Sequence, residues 1–218
     1  MELLPLDELA RRFDLSRVAH SAGVFDEDKL AWANRHYLKQ ASVARLVDLA
    51  EPYLRVRAMV IGTLSAAGRE WLERVLPPLA TSLDRLSQIP DRLRTVFDFD
   101  ATASLGRDDI RREFETEAPR QVVAALAEDL ATSARLVDRD TFRAVAGRVR
   151  ERTGQKGRAL LHPIRVALTG ELEGPELDLI VPAIDRAVEL SPADGLQAVT
   201  GCRERAAAFA KVLLMGYL

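Results

Sequence analysis

Thr153-Gly154-Gln155-Lys156-Gly157-Arg158-Ala159-Leu160-Leu161-His162-Pro163-Ile164-Arg165-Val166-Ala167-Leu168-Thr169-Gly170 is the stretch from which the rest of this chain is read. Two glycines flank Lys156. A short apolar run follows and is broken by Pro163. Arg165 opens a second run that ends at Thr169-Gly170, and Gly174-Pro175-Glu176-Leu177 forms the next turn. A basic glycine loop, a helix with an inward arginine and a Gly-Pro turn are suited to holding a nucleic-acid strand. They are equally suited to an ordinary helical hairpin.

On both sides the pattern is helical. Upstream, Val122, Val123, Leu126 and Leu130 form one stripe, with Pro119 in its first turn, where the missing N–H costs nothing. Asp138 is placed to cap a second helix whose face is Phe142, Val145, Ala146 and Val149. Residues 159–169 and, downstream, 176–190 and 192–215 read as helices, the last capped by Ser191 with Pro192 in its first position. Nearer the start, Asp26 caps a run from Glu27 to Gln40. Leu30, Ala33, Tyr37 and Leu38 are expected on its core face, with Trp32 and Asn34 beside them. Ser42 caps the next helix, which Glu51-Pro52-Tyr53 interrupts or ends. A helix from Arg69 to Leu76 is expected to break at Pro77-Pro78, with a further helix from Leu79 to Gln88. Leu6, Leu9 and Phe13 mark a short first helix, and His20 reads as a solvated loop residue. Residues 98–117 are polar and read as a linker or a surface helical turn, the best candidate boundary. Strand alternation, repeats and low-complexity tracts are missing, so the fold class is all-α, with a first unit over residues 1–100 and a second over 101–218.

Composition agrees. At 218 residues, the chain can bury a core without disulfides. Hydrophobic content of 48% with 29% charge is that of a globular protein, and 6% aromatic leaves little for a β-sandwich. The single cysteine, Cys202, excludes an internal disulfide and a cysteine-based zinc site. Arg203 beside it is a weak hint of thiol activation; a small buried residue is the better reading. No apolar run reaches the roughly 18 residues that cross a bilayer, and the start lacks a basic signal-peptide region. The expected setting is therefore the cytoplasm, without membrane contact.

Net charge is −2, but the charge is polarised. Between Arg135 and Arg165 there are nine Arg or Lys and three acids; between Glu171 and Asp194 there are seven acids and one Arg. Arg148, Arg152 and Arg158 could meet phosphates near the glycine loop. On charge alone, a solvated helix surface with i,i+4 pairing is the better account. No GxxxxGK, GxSxG or HExxH motif is present, and His20, His36 and His162 lack ligand spacing. A binding module is indicated over a self-contained enzyme.

The stretch from Lys156 to Gly170, followed by Gly174-Pro175-Glu176-Leu177, resembles the C-terminal anticodon-binding region of bacterial glutamyl-tRNA synthetases. The N-terminal stretch resembles the same family independently. Phe13-Asp14-Leu15-Ser16-Arg17-Val18, Val24-Phe25-Asp26, Lys29-Leu30, Trp32, Asn34 and Tyr37 are similar to the segment that leads from the catalytic domain into the helical cage. The resemblance implies a stem-contact-like segment and two successive helical bundles forming an anticodon-binding cage. It implies tRNA(Glu) as partner, read by Arg165 and the turn Gly174, Pro175, Glu176 and Leu177, with Lys156 and Arg158 on the RNA backbone. The family's HIGH-like and KMSKS-like signatures are absent, so aminoacylation would need a separate catalytic domain, which would carry ATP and Mg. A monomer is expected. Some members read the first anticodon base with an earlier arginine; here that position falls near Thr81-Ser82, without arginine. The alternative is a helical protein–protein adaptor, or a paralogue without anticodon specificity, motivated by the acidic segment and the apolar Val212-Leu213-Leu214-Met215 tail.

Overall fold

The computed structural model describes residues 3–18, 24–190 and 192–216. Among these residues there are helices and no strand, as the periodicity predicts. The helices are α1 (Leu6–Arg12), α2 (Glu27–Gln40), α3 (Val43–Val56), α4 (Ala66–Ala80), α5 (Ile89–Phe97) and α6 (Ala101–Gly106). They continue with α7 (Asp108–Glu113), α8 (Glu117–Thr132), α9 (Arg139–Thr153), α10 (Arg158–Thr169), α11 (Leu177–Ala187) and α12 (Cys202–Leu214). None is long and apolar enough to cross a membrane. His20 and the expected Ser191 cap lie outside the described residues.

The expected N-caps form. Asp26 accepts from the Lys29 N–H at 3.0 Å and Ser42 from that of Arg45 at 3.3 Å. Asp138 accepts from the Thr141 N–H at 2.8 Å while the Thr141 hydroxyl accepts from Asp138 N–H at 3.2 Å, a reciprocal box that starts α9. The expected breaks at proline do not form. Pro52 lies inside α3 and Pro77 and Pro78 inside α4; Pro163 lies inside α10, as the helical reading of residues 159–169 expects. Each is flanked by fully or nearly fully buried residues: Ala50 and Leu54, Leu76 and Leu79, Leu160 and Ile164. Packing of those neighbours outweighs the roughly 3 kcal/mol that an interior proline costs.

Two further expectations are corrected and one is narrowed. The stripe on α2 is largely solvent-facing: Leu30, Trp32 and Tyr37 are half exposed, and Leu38 is the residue of that helix that reaches the core. Of the two readings of the polar segment 98–117, linker and helical turn, the structure has the second, in α6 and α7, and its few apolar residues are anchors. Leu105, Ile110 and Phe114 are buried, and the Phe114 ring packs 5.3 Å from that of Phe209 in α12. Residues 192–215 do not form one helix. After the turn Pro192–Asp194, the chain runs extended and pairs with residues 59–61, through Ile61 N–H to Gly195 O (2.9 Å) and Gln197 N–H to Met59 O (3.0 Å). Gly195 permits this, since its φ is +85° and a Cβ would stand 2.5 Å from the Thr63 carbonyl.

The core is continuous from Leu38 of α2 to Phe209 of α12. The indole of Trp71 in α4 donates to the Ala183 carbonyl of α11 at 3.0 Å and meets Phe97 edge-on. Within this core sits a charged side chain, Arg205, fully buried. It donates to the carbonyls of Thr200 (2.6 Å), Thr95 (2.7 Å), Leu168 (2.9 Å) and Val96, and its guanidinium lies 4.8 Å above the Phe99 ring. Burial brings it down to about 10, still charged at neutral pH. Asp185, also buried, accepts from the N–H groups of Leu136 (2.6 Å) and Cys202 (2.8 Å).

Cys202 is fully buried. Burial, and then the Asp185 charge, push its thiol well above the ordinary range. Arg203 turns away to the carbonyls of Leu130 and Ser133, so it does not activate the thiol. Iodoacetamide at pH 8 is therefore expected to leave Cys202 unmodified in the native protein and to label it in step with global unfolding across a urea series, followed by mass spectrometry. Rapid labelling without urea would show that α12 opens locally.

Candidate nucleic-acid interface

The glycine loop is built for a sharp reversal. α9 ends at Gly154 (φ +72°), and Gly157 (φ +54°) starts α10. Both φ values favour glycine, and a Cβ at either position would meet nothing within 4 Å. The result is an antiparallel pair, α9 and α10, with α11 beginning beside them.

Between α9, α10 and the first turn of α11 lies an open groove of about 580 Å³. Its apolar surface comes from Phe142, Ala146, Leu160, Leu161 and Leu177. Its charged lining comes from Arg143, Arg150, Arg158 and Arg165, together with the acids Glu176 and Asp178. Arg165 is half-buried, and that burial lowers its pKa from the ordinary value. Its Nη1 donates to the Pro175 carbonyl at 2.8 Å. One end of the 170–176 loop is thereby pinned to α10.

The other end of that loop is pinned as well. Gly170 closes α10 in the left-handed region (φ +72°), with the Ser104 hydroxyl 2.6 Å from where a Cβ would be. Glu171 accepts from Arg94 of α5 and from Arg107 after α6, each at 2.6 Å. Asp109 and Glu171 together raise the Arg107 pKa. The Gly174-Pro175 turn is therefore held between two anchors.

The groove brings together four of the residues singled out from the sequence: Arg158, Arg165, Glu176 and Leu177. Leu177 is buried, so it offers the groove only an edge. Gly174 and Pro175 line a second depression on the far side of the turn, with Gln88, Arg92 and Glu171. Lys156 is exposed and lines neither. Thr81 and Ser82 follow α4 with their hydroxyls on carbonyls of that same helix.

The basic segment divides in a way that i,i+4 pairing does not describe. Its partners are on other helices. Arg148 makes two hydrogen bonds to Asp129 of α8 (2.8 and 2.7 Å), Arg152 pairs with Glu128, and Arg139 and Arg143 share Asp178. The Arg148 guanidinium holds the Asp129 carboxyl below the usual carboxylate range. Among the described residues Arg150, Lys156 and Arg158 make no ion pair, so these cations are free for a ligand. Arg150 was not among the residues assigned from the sequence. Its signal was its spacing: Arg143, Gly147 and Arg150 stand at i, i+4 and i+7, one helical face.

The anticodon binding domain family matches residues 45–190 of the chain. The chain is 33% identical over 193 residues to a glutamate–tRNA ligase of Desulforamulus reducens, covering 85% of this chain and 38% of the relative. It is 34% identical over 199 residues to that of Desulfitobacterium hafniense, covering 91% and 40%. A solved glutamate tRNA ligase from Elizabethkingia meningosepticum superposes with a TM-score of 0.67 over 96% of this chain and 37% of its own, and at 17% identity this is a likeness of fold. The chain thus spans about two fifths or less of the relatives it matches. A helical cage with the glycine loop and the pinned Gly-Pro turn at one edge, matched by the family over most of its length, makes this chain a member of the anticodon binding domain family.

Proposed function

We propose that the chain is a tRNA-binding module that reads the anticodon of tRNA(Glu). It supports glutamyl-tRNA formation only together with a catalytic domain, which would bring ATP and Mg. The observation that carries this reading is Arg165, whose guanidinium is held on the Pro175 carbonyl and lines a groove that combines apolar side chains with arginines. Unstacked bases are recognised by that combination: a flat surface for the ring and fixed donors for its edge. In this reading Arg165, Gly174, Pro175, Glu176 and Leu177 face bases, and Lys156 and Arg158 face the backbone. The module acts as a monomer in the cytoplasm.

Titration with tRNA(Glu) and with an anticodon-swapped copy tests the reading; equal, weak binding to both would sink it. The free cations make a separate prediction. Lys156→Ala and Arg158→Ala combined are expected to flatten the plot of log affinity against log salt by about 1.4 units, from roughly 0.7 per phosphate contact. An unchanged slope would place the RNA backbone elsewhere.

One observation favours a second reading, an adaptor that seats a separate catalytic subunit. Leu6, Phe13, Phe25, Leu30, Trp32 and Tyr37 are exposed apolar residues of α1, α2 and the segments beside them. Co-purification with such a subunit but no RNA affinity would support it.

A further inference from the structure

Gly147 is the ninth residue of α9, in the interior of a helix where glycine is a poor choice. Two reasons ordinarily retain a glycine there. One is a left-handed backbone, and Gly147 has none; the other is close approach of a neighbour, and a Cβ at Gly147 would meet nothing within 4 Å. What a Cβ would enter is the groove, because Gly147 is part of its lining. Arg143 and Arg150 flank it on the same face. Arg143 is drawn aside onto Asp178 (2.7 Å), and Arg150 has no acid partner among the described residues. The floor beside it is apolar: Phe142 and Ala146 on α9, Leu160 and Leu161 on α10.

We infer that Gly147 is kept without a side chain so that the flat ring of an unstacked base can lie over α9 between Arg143 and Arg150, and that the size of residue 147 sets how deeply a ring enters the groove. The inference rests on the reading of the chain as an anticodon-binding module and adds to it a residue that governs access. Gly147 donates nothing to the ligand; it acts by absence. Its half-buried backbone lines the groove without a side chain, and the neighbouring guanidinium groups can lie along the ring edge or stack.

The inference predicts opposite signs for stability and binding. Gly147→Ala is expected to raise Tm by about 1–4 °C, because alanine is the better helix former and meets no neighbour. The same change is expected to weaken binding of an anticodon stem-loop of tRNA(Glu), measured by fluorescence anisotropy. Gly147→Leu, which fills the groove, is expected to weaken it by about tenfold or more, while the salt slope stays unchanged since the phosphate contacts are untouched. A wild-type chain that binds the stem-loop with both variants equal to it would overturn the inference alone. A wild-type chain that does not distinguish the stem-loop from an anticodon-swapped copy would overturn the anticodon reading and the inference with it.

Discussion

Replacing Arg205 with leucine is expected to remove about 3–5 kcal/mol of stability, the largest loss from any single polar side chain in the core. The reason lies in what its five N–H donors satisfy. α5 ends at Phe97 and α10 at Thr169, and the last four carbonyls of a helix have no partner within it. Thr95 and Val96 belong to the first set and Leu168 to the second, and Arg205 meets all three. One buried cation therefore caps two helices at their C-terminal, negative ends, with the Thr200 carbonyl as a fourth acceptor. Leucine fits the volume but leaves these acceptors without donors in a site that excludes water. Lysine is expected to rescue little, since a point charge cannot reproduce the planar fork. At about 2–4 °C per kcal/mol for a chain of this size, Tm should fall by roughly 6–20 °C, measured by calorimetry. Arg74→Ala, which removes only an exposed pair with Glu70, should change Tm little. A small effect for Arg205→Leu would mean that water reaches the freed carbonyls.

Arg165→Ala is expected to have the largest effect on recognition. It removes the guanidinium from the groove and releases one anchor of the Gly174-Pro175 turn, while Glu171 still holds the other. Preference for tRNA(Glu) over an anticodon-swapped copy should fall by about 1–3 kcal/mol, the worth of one good base contact. The quantity to measure is the ratio of the two dissociation constants, since a lost phosphate contact would weaken both RNAs alike and leave the ratio unchanged. Arg165→Lys should keep overall affinity near wild type without restoring the ratio, because lysine retains charge but not planar geometry. A ratio that does not move in either variant would remove Arg165 from base recognition.

The fold was legible where local chemistry decides it. Asp26, Ser42 and Asp138 announce helix starts because short oxygen-bearing side chains satisfy the first free N–H groups, a matter of two or three residues. The glycine loop was legible for the same reason. Pro52 and Pro77-Pro78 misled because their cost is local and their compensation is not: Pro52 is tolerated through the burial of Ala50 and Leu54 against other helices. The face of α2 misled because Leu30 and Tyr37 repeat at helical spacing whether or not anything covers them. Within the candidate site, Arg165 and its turn lie ten residues apart and could be associated from the sequence. Glu171 finds Arg94 and Arg107 at 77 and 64 residues' distance, which no spacing rule reveals. Arg205 was passed over because an arginine in a polar-looking helix is ordinarily solvated, and its acceptors are backbone atoms that leave no mark in sequence.

The Trp71–Ala183 hydrogen bond joins residues 112 positions apart, and Ser65 reaches Asp194 across 129. On the ribosome this imposes a waiting time. At about 5–20 residues per second, Trp71 is exposed for roughly 5–20 s before Ala183 has been made. During that interval α3, α4 and α5 can form, but the apolar wall that α11 later covers stands open. The polar side of α3 and α4 needs no such wait, because Arg69 pairs with Asp48 and Glu73 within these two helices.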